Sequence, residues 1–292
     1  MLFQIAHWNL LLIVLLGVVG CTAVGRRDAD TSFGGARVAY SVWGDGDNLT
    51  PIVFIHGWAC DRSVWELQVR SAGLPAALAA RRRIAIDLPG HGQSDVPPLY
   101  TADAFADAIA AVLDRECIKR AILVGHSNGV PMIRHFLKRY PDRVAALIAV
   151  DGPFRSFFPD PVQAQSLLDK LSSDEEDVFM RKLVSGILGP QMPAGERDRL
   201  MAVMLATPKQ TRVGAFRVVL DASIWTDDPI TTPLLMVNAR QPAWDEEYLA
   251  YVRGLAPRLE YHEMTGVTHF LMIDRPREFN TLMADFIRAN GP

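Results

Sequence analysis

Cysteine is scarce: Cys21, Cys60 and Cys117 are the only three in 292 residues. They are too few and too scattered for a disulfide framework or a zinc site, which takes about four ligands at short spacing. Neither a Cys-x-x-Cys nor a His-Glu-x-x-His occurs. Charge of one sign is also missing in bulk. The 30 Lys and Arg stand against 33 Asp and Glu, and the longest basic run is Arg81-Arg82-Arg83, so no electrostatic footprint for nucleic acid is present. The first 20 residues hold no Lys, Arg, Asp or Glu at all. With 49% apolar and 22% charged residues, the composition is that of a globular chain, which excludes disordered, collagenous and coiled-coil classes.

The uncharged start is greasy in one place, Leu10 to Gly20. As a helix this run spans about 16 Å, short of the roughly 30 Å of a bilayer core, and is scaled like the apolar region of a signal peptide. Val18-Val19-Gly20-Cys21 resembles a bacterial lipobox, which implies lipidation of Cys21 and a protein tethered to the membrane of the cell envelope. The stretch before it, MLFQIAHWN, lacks the usual basic residues, so an uncleaved anchor over Leu2 to Val19, or simple secretion, stay open. Residues 1–20 are thus expected to be a signal peptide or anchor and 21–35 a polar linker.

From Arg37 onward, short apolar β-branched runs alternate with segments of helical period, the pattern of a parallel sheet with crossover helices. Strands are predicted over 36–42, 51–57, 83–87, 121–127, 145–151, 233–238 and 259–264. Helices are predicted over 63–80, 102–116, 128–140, 244–254 and 276–290. About 80 residues between Asp151 and Pro233 carry helix-like stretches and no convincing strand. The expected organisation is an α/β core over 36–152 and 229–292 with a helical cap, 153–228, inserted in it.

Gly125-His126-Ser127-Asn128-Gly129 follows one apolar strand directly and precedes a helix. In a Gly-x-Ser-x-Gly elbow the serine sits in a strained strand-to-helix turn, and the helix behind it presents backbone N–H groups to a developing oxyanion. Together with Phe54-Ile55-His56-Gly57-Trp58, Asp87-Leu88-Pro89-Gly90-His91-Gly92-Gln93-Ser94 and Gly266-Val267-Thr268-His269-Phe270, in this order, the chain resembles the α/β-hydrolase superfamily from about Arg37 to Ile287. The resemblance implies an α/β-hydrolase fold, a mostly parallel eight-stranded sheet flanked by helices. It also implies a nucleophile Ser127, a base His269, and an oxyanion hole built from the N–H groups of Trp58 and Asn128.

The acid departs from the family pattern. Its usual position, after the strand that follows the insertion, is occupied by Gln241, which cannot stabilise an imidazolium by charge. Some members carry the acid at the end of the preceding strand, here Asp151. Asp245, at the start of a helix, is a second candidate whose charge also suits a helix N-terminus, and a histidine with no carboxylate partner is a third outcome. Cys60 reads as a small packed apolar residue.

The implied chemistry is hydrolysis of a carboxylic ester of a small or medium apolar substrate, with no metal and no organic cofactor. Carbon–carbon bond hydrolases and cofactor-free perhydrolases share the fold. A membrane-tethered binding protein whose triad has decayed, with Gln241 as its mark, is the reading from another class.

Overall fold

Runs such as IVFI, AILV, VAALIAV and LLMV have no polar face, and strands of that kind are stable only when covered on both sides. A computed structural model, which describes residues 25–46, 48–70, 73–158 and 160–290, puts them in the middle of one sheet. Its strands are β1 (Arg27–Phe33), β2 (Ala36–Trp43), β3 (Ile52–Ile55), β4 (Arg83–Ile86), β5 (Ala121–His126), β6 (Val144–Val150), β7 (Leu234–Ala239) and β8 (Leu259–Met264). They lie in the order β1-β2-β4-β3-β5-β6-β7-β8. β1, β2 and β4 pair antiparallel and every later pairing is parallel. Every residue of β3 to β7 is buried.

Helices flank the sheet or follow its strands, starting with α1 (Ala102–Arg115) and α2 (Gly129–Arg139). Thr101 caps α1 by accepting from the Ala104 N–H at 3.0 Å. Between β6 and β7 come α3 (Pro161–Ser172), α4 (Glu176–Leu188), α5 (Ala194–Ala206) and α6 (Lys209–Leu220), with no strand among the described residues of that stretch. After β7 come α7 (Glu246–Leu255) and, past a single helical turn over Leu271–Asp274, α8 (Pro276–Asn290).

The cap helices are tied together by a buried ion pair, Arg212 of α6 with Glu176 of α4. Arg212 also donates to the carbonyls of Leu205 (2.9 Å) and Thr207 (2.5 Å). A charge buried this way is costly unless it is paired and hydrogen-bonded, so the turn between α5 and α6 is locked to α4.

Two expectations are corrected. Residues 27–33 are a strand, not part of a linker over 21–35: Arg27 to Phe33 pairs antiparallel with β2 along its whole length. Its alternation of exposed and half-buried side chains, with Arg27, Asp28 and Asp30 facing out, is how a sheet edge is kept from pairing with other chains. The helix expected over 63–80 is three short turns, 62–65, 66–69 and 76–79. Pro75 fixes an extended backbone there and opens the last of them. Cys21 and the apolar run before it lie outside the described residues. Among the described residues no helix is long and apolar enough to cross a membrane.

Candidate active site

In an open α/β sheet the C-terminal ends of parallel strands converge on one edge, where ligands bind. Ser127 follows β5, Asp151 follows β6, Trp58 lies three residues past β3, and His269 lies five past β8. Ser127 has φ +53° and Asp151 φ +43°, a region that side chains other than glycine rarely occupy. The elbow needs its flanking glycines: a Cβ on Gly125 would come within 2.6 Å of the Gly129 carbonyl oxygen, and one on Gly129 within 2.6 Å of the Ile55 carbonyl oxygen.

Of the two candidate carboxylates, Asp151 is the one that meets His269. His269 Nδ1 donates to Asp151 Oδ2 at 2.7 Å. The other oxygen, Oδ1, accepts from the Ala239 N–H (3.0 Å), the Trp244 indole Nε1–H (2.8 Å) and Gln241 Nε2–H (3.5 Å). Asp151 is 1% exposed. Three donors fix one oxygen in place and leave the second to orient the imidazole. Asp245 is elsewhere: it is exposed and caps α7 through the Tyr248 N–H at 2.8 Å. Gln241 thus stands at the family's usual acid position but turns a donor toward Asp151. The parts played by Trp244 and Ala239 are not predicted by the sequence motifs. The available signal is a tryptophan five residues past the end of β7, a place where an indole N–H requires a buried acceptor.

His269 is itself held. Thr268 N–H donates to Asp274 Oδ2 (2.5 Å), and the His269 carbonyl accepts from His126 Nε2 at 2.9 Å. A carbonyl only accepts, so His126 is the neutral Nε2–H tautomer, and burial together with nearby His269 holds its pKa well below the usual value. The backbone N–H groups of Trp58 and Asn128 meet no acceptor among the described residues. The Trp58 indole donates to the Arg212 carbonyl at 2.8 Å, which ties this loop to the cap.

The Asp87 turn is structural. Asp87 pairs with buried Arg62 and accepts from the N–H of Arg62 (2.7 Å) and of Gln93 (2.8 Å), and Ser94 Oγ donates to its carbonyl at 2.6 Å. Cys60 is 1% exposed and burial pushes its thiol pKa up, so it is packed and protonated. Cys60 and Cys117 are both free. Among the described residues no cluster of His, Cys, Asp or Glu could hold a metal ion.

Burial also lowers the pKa of His56, and that of His91 to about 3. His56, His91 and His126 are therefore buried and neutral, and each takes a proton more readily in the unfolded chain than in the folded one. Stability is fully present well above pH 6.5 and is lost as pH falls through 6.5 toward the folded values. His91 alone accounts for about 2 kcal/mol lost by pH 5. Denaturant midpoints at pH 8, 6.5 and 5 should fall slightly between the first two and clearly more at the third; a midpoint that does not fall at pH 5 contradicts neutral burial.

The sequence profile of the alpha/beta hydrolase family matches residues 52–282. The chain is 26% identical over 277 residues to a 2-hydroxy-6-oxononadienedioate/2-hydroxy-6-oxononatrienedioate hydrolase of Paraburkholderia phymatum, covering 86% of this chain and 91% of that protein. A non-heme chloroperoxidase of Streptomyces lividans is 34% identical over 124 residues, which span 42% of this chain and less than half, 43%, of the relative. Among solved structures, a putative aryl esterase from Burkholderia cenocepacia superposes with a TM-score of 0.76 at 25% identity, over 90% of this chain and 99% of that one.

Proposed function

The chain belongs to the alpha/beta hydrolase family, and on that premise we propose that it hydrolyses a carboxylic ester through Ser127, His269 and Asp151. The observation that carries this reading is the 2.7 Å contact of Asp151 Oδ2 with His269 Nδ1, made by a carboxylate whose other oxygen is already held by three donors. With its proton on Nδ1, His269 presents a bare Nε2 to take the Ser127 proton. Ser127 Oγ attacks the ester carbonyl, and the negative oxygen of the tetrahedral intermediate sits on the N–H groups of Trp58 and Asn128. His269 then passes its proton to the departing alkoxide, which leaves as the alcohol. Water, deprotonated by the same nitrogen, cleaves the acyl-serine to the carboxylic acid and restores Ser127.

The decayed-triad reading rested on Gln241, and it loses its ground because Gln241 supports a carboxylate instead of replacing one. A second reading, carbon–carbon bond hydrolysis, is favoured by the similarity to the Paraburkholderia phymatum protein named for a dienedioate.

Residues 25–290 hold the whole constellation, so the full chain is assayed with p-nitrophenyl acetate and a fluorophosphonate probe. Wild type should turn over the ester and take the probe, and Ser127→Ala should do neither. A folded wild type that takes no probe refutes the serine nucleophile. A wild type that takes the probe and cleaves a 2-hydroxy-6-oxo-dienedioate in preference to every ester moves the second reading to first place.

A further inference from the structure

Resting on the esterase reading, we infer that the substrate joins a short acyl group of two or three carbons, uncharged, to a distinctly larger alcohol. The carbonyl oxygen has to reach the Trp58 and Asn128 N–H groups, and the leaving oxygen has to reach His269, which protonates it. The two halves of the ester therefore fall on opposite sides of Ser127. The space beside Gly57, Trp58 and Asn128 is assigned to the acyl half and the space beside His269 to the alcohol half.

The spaces on those two sides differ greatly. Beside Gly57, Trp58 and Asn128 is a small cavity of about 20 Å³ lined also by Leu88, Phe105, Met132, Ala215 and Val219. These five side chains are at most 6% exposed, and the close packing around them resists widening of the cavity. A water needs roughly 10–15 Å³ by the same measure, so this cavity takes a group of one or two carbons beyond the carbonyl. Its lining contains no Lys or Arg, and its two imidazoles, His56 and His91, are neutral. An anionic acyl group would meet no counter-charge there.

Beside His269 is an open cleft of about 370 Å³ with a different lining. It carries the Phe157–Trp244 ring pair, 5.1 Å between centroids, the amides of Gln191 and Gln241, and Arg240 at its edge. That volume is in the range of small-molecule sites and suits an aryl or polar alcohol. Met132 belongs to α2 of the core, whereas Ala215 and Val219 belong to α6 of the cap. The cap thus limits the acyl chain and the β7 loop receives the alcohol.

The test uses isomers, so that atom count and hydrophobicity are matched. Benzyl acetate places the ring in the alcohol and methyl phenylacetate places it in the acyl group. The full chain should show a kcat/KM at least 100-fold higher for benzyl acetate. Along 2-naphthyl acetate, butyrate and octanoate, kcat/KM should fall at each step, and Val219→Ala or Met132→Ala should raise the butyrate to acetate ratio about tenfold. Equal or better use of methyl phenylacetate, or of octanoate, overturns the inference, as does a butyrate ratio unmoved in both variants. Fluorophosphonate labelling without benzyl acetate turnover also overturns it while leaving the nucleophile in place. Failure to label refutes the esterase reading itself.

Discussion

Asp151→Asn is expected to lower kcat for ester hydrolysis by about four decades, with KM little changed. The Ala239 N–H at 3.0 Å and the Trp244 Nε1–H at 2.8 Å both point at one oxygen of residue 151, and both can only donate. They fix an asparagine with its carbonyl oxygen toward them and its NH₂ toward His269. That NH₂ donates to His269 Nδ1, which forces the ring proton onto Nε2, where it blocks proton transfer from Ser127. The loss is therefore of tautomer as well as charge. Asp245→Asn is the control, because asparagine caps a helix as aspartate does and the Tyr248 N–H keeps its acceptor. Its kcat should stay within about twofold of wild type. Steady-state rates of the two variants at pH 7.5 decide the matter, since retention of a tenth of wild-type kcat by Asp151→Asn excludes it as the acid.

The central parallel strands were legible because each is a run with no polar face, a pattern open to few other structures. The edge strand Arg27–Phe33 was not, since an edge has to look polar to stay unpaired and so reads as a linker. The breaks within 63–80 were missed for a related reason: its apolar residues keep helical spacing, and only Gly73 and Pro75 mark the interruption. Ser127, His269 and the loops holding Trp58 and Asn128 were legible because each sits in a local motif whose geometry depends only on its neighbours. The sequence pointed to Asp151 as the acid but left Asp245 open beside it. Whether position 151 or 245 reaches His269 depends on how β6 and β7 lie side by side, Val150 opposite Val237, a long-range register that no local pattern carries. The indole of Trp244 acts across the same register, 93 residues from its acceptor in sequence.

That register also makes the acid movable. Gln241 Nε2 reaches to 3.5 Å from Asp151 Oδ1, so a glutamate of the same length at 241 can deliver a carboxylate to nearly the same place. In the presence of Asp151 this is harmful, because two carboxylates that close cannot both ionise cheaply. One of them should then hold its proton to higher pH. Gln241→Glu alone should accordingly move the acid limb of the pH–rate profile upward and reduce kcat at neutral pH. Asp151→Gly removes the resident carboxylate and suits the positive φ of that position, so the backbone is relieved rather than strained. It should be nearly inactive. In Asp151→Gly/Gln241→Glu the glutamate can enter the vacated space, accept from the Ala239 and Trp244 donors and meet His269 Nδ1. At least a hundredfold of the lost kcat should return, and the acid limb should come back toward that of wild type. Gln241→Glu combined with Trp244→Phe and Asp151→Gly should recover less, since one of the two donors that seat the new carboxylate is gone. If the double variant is folded, labels at Ser127, and is no faster than Asp151→Gly, position 241 does not share the locus of the acid, and Gln241 is not a supporting partner of Asp151.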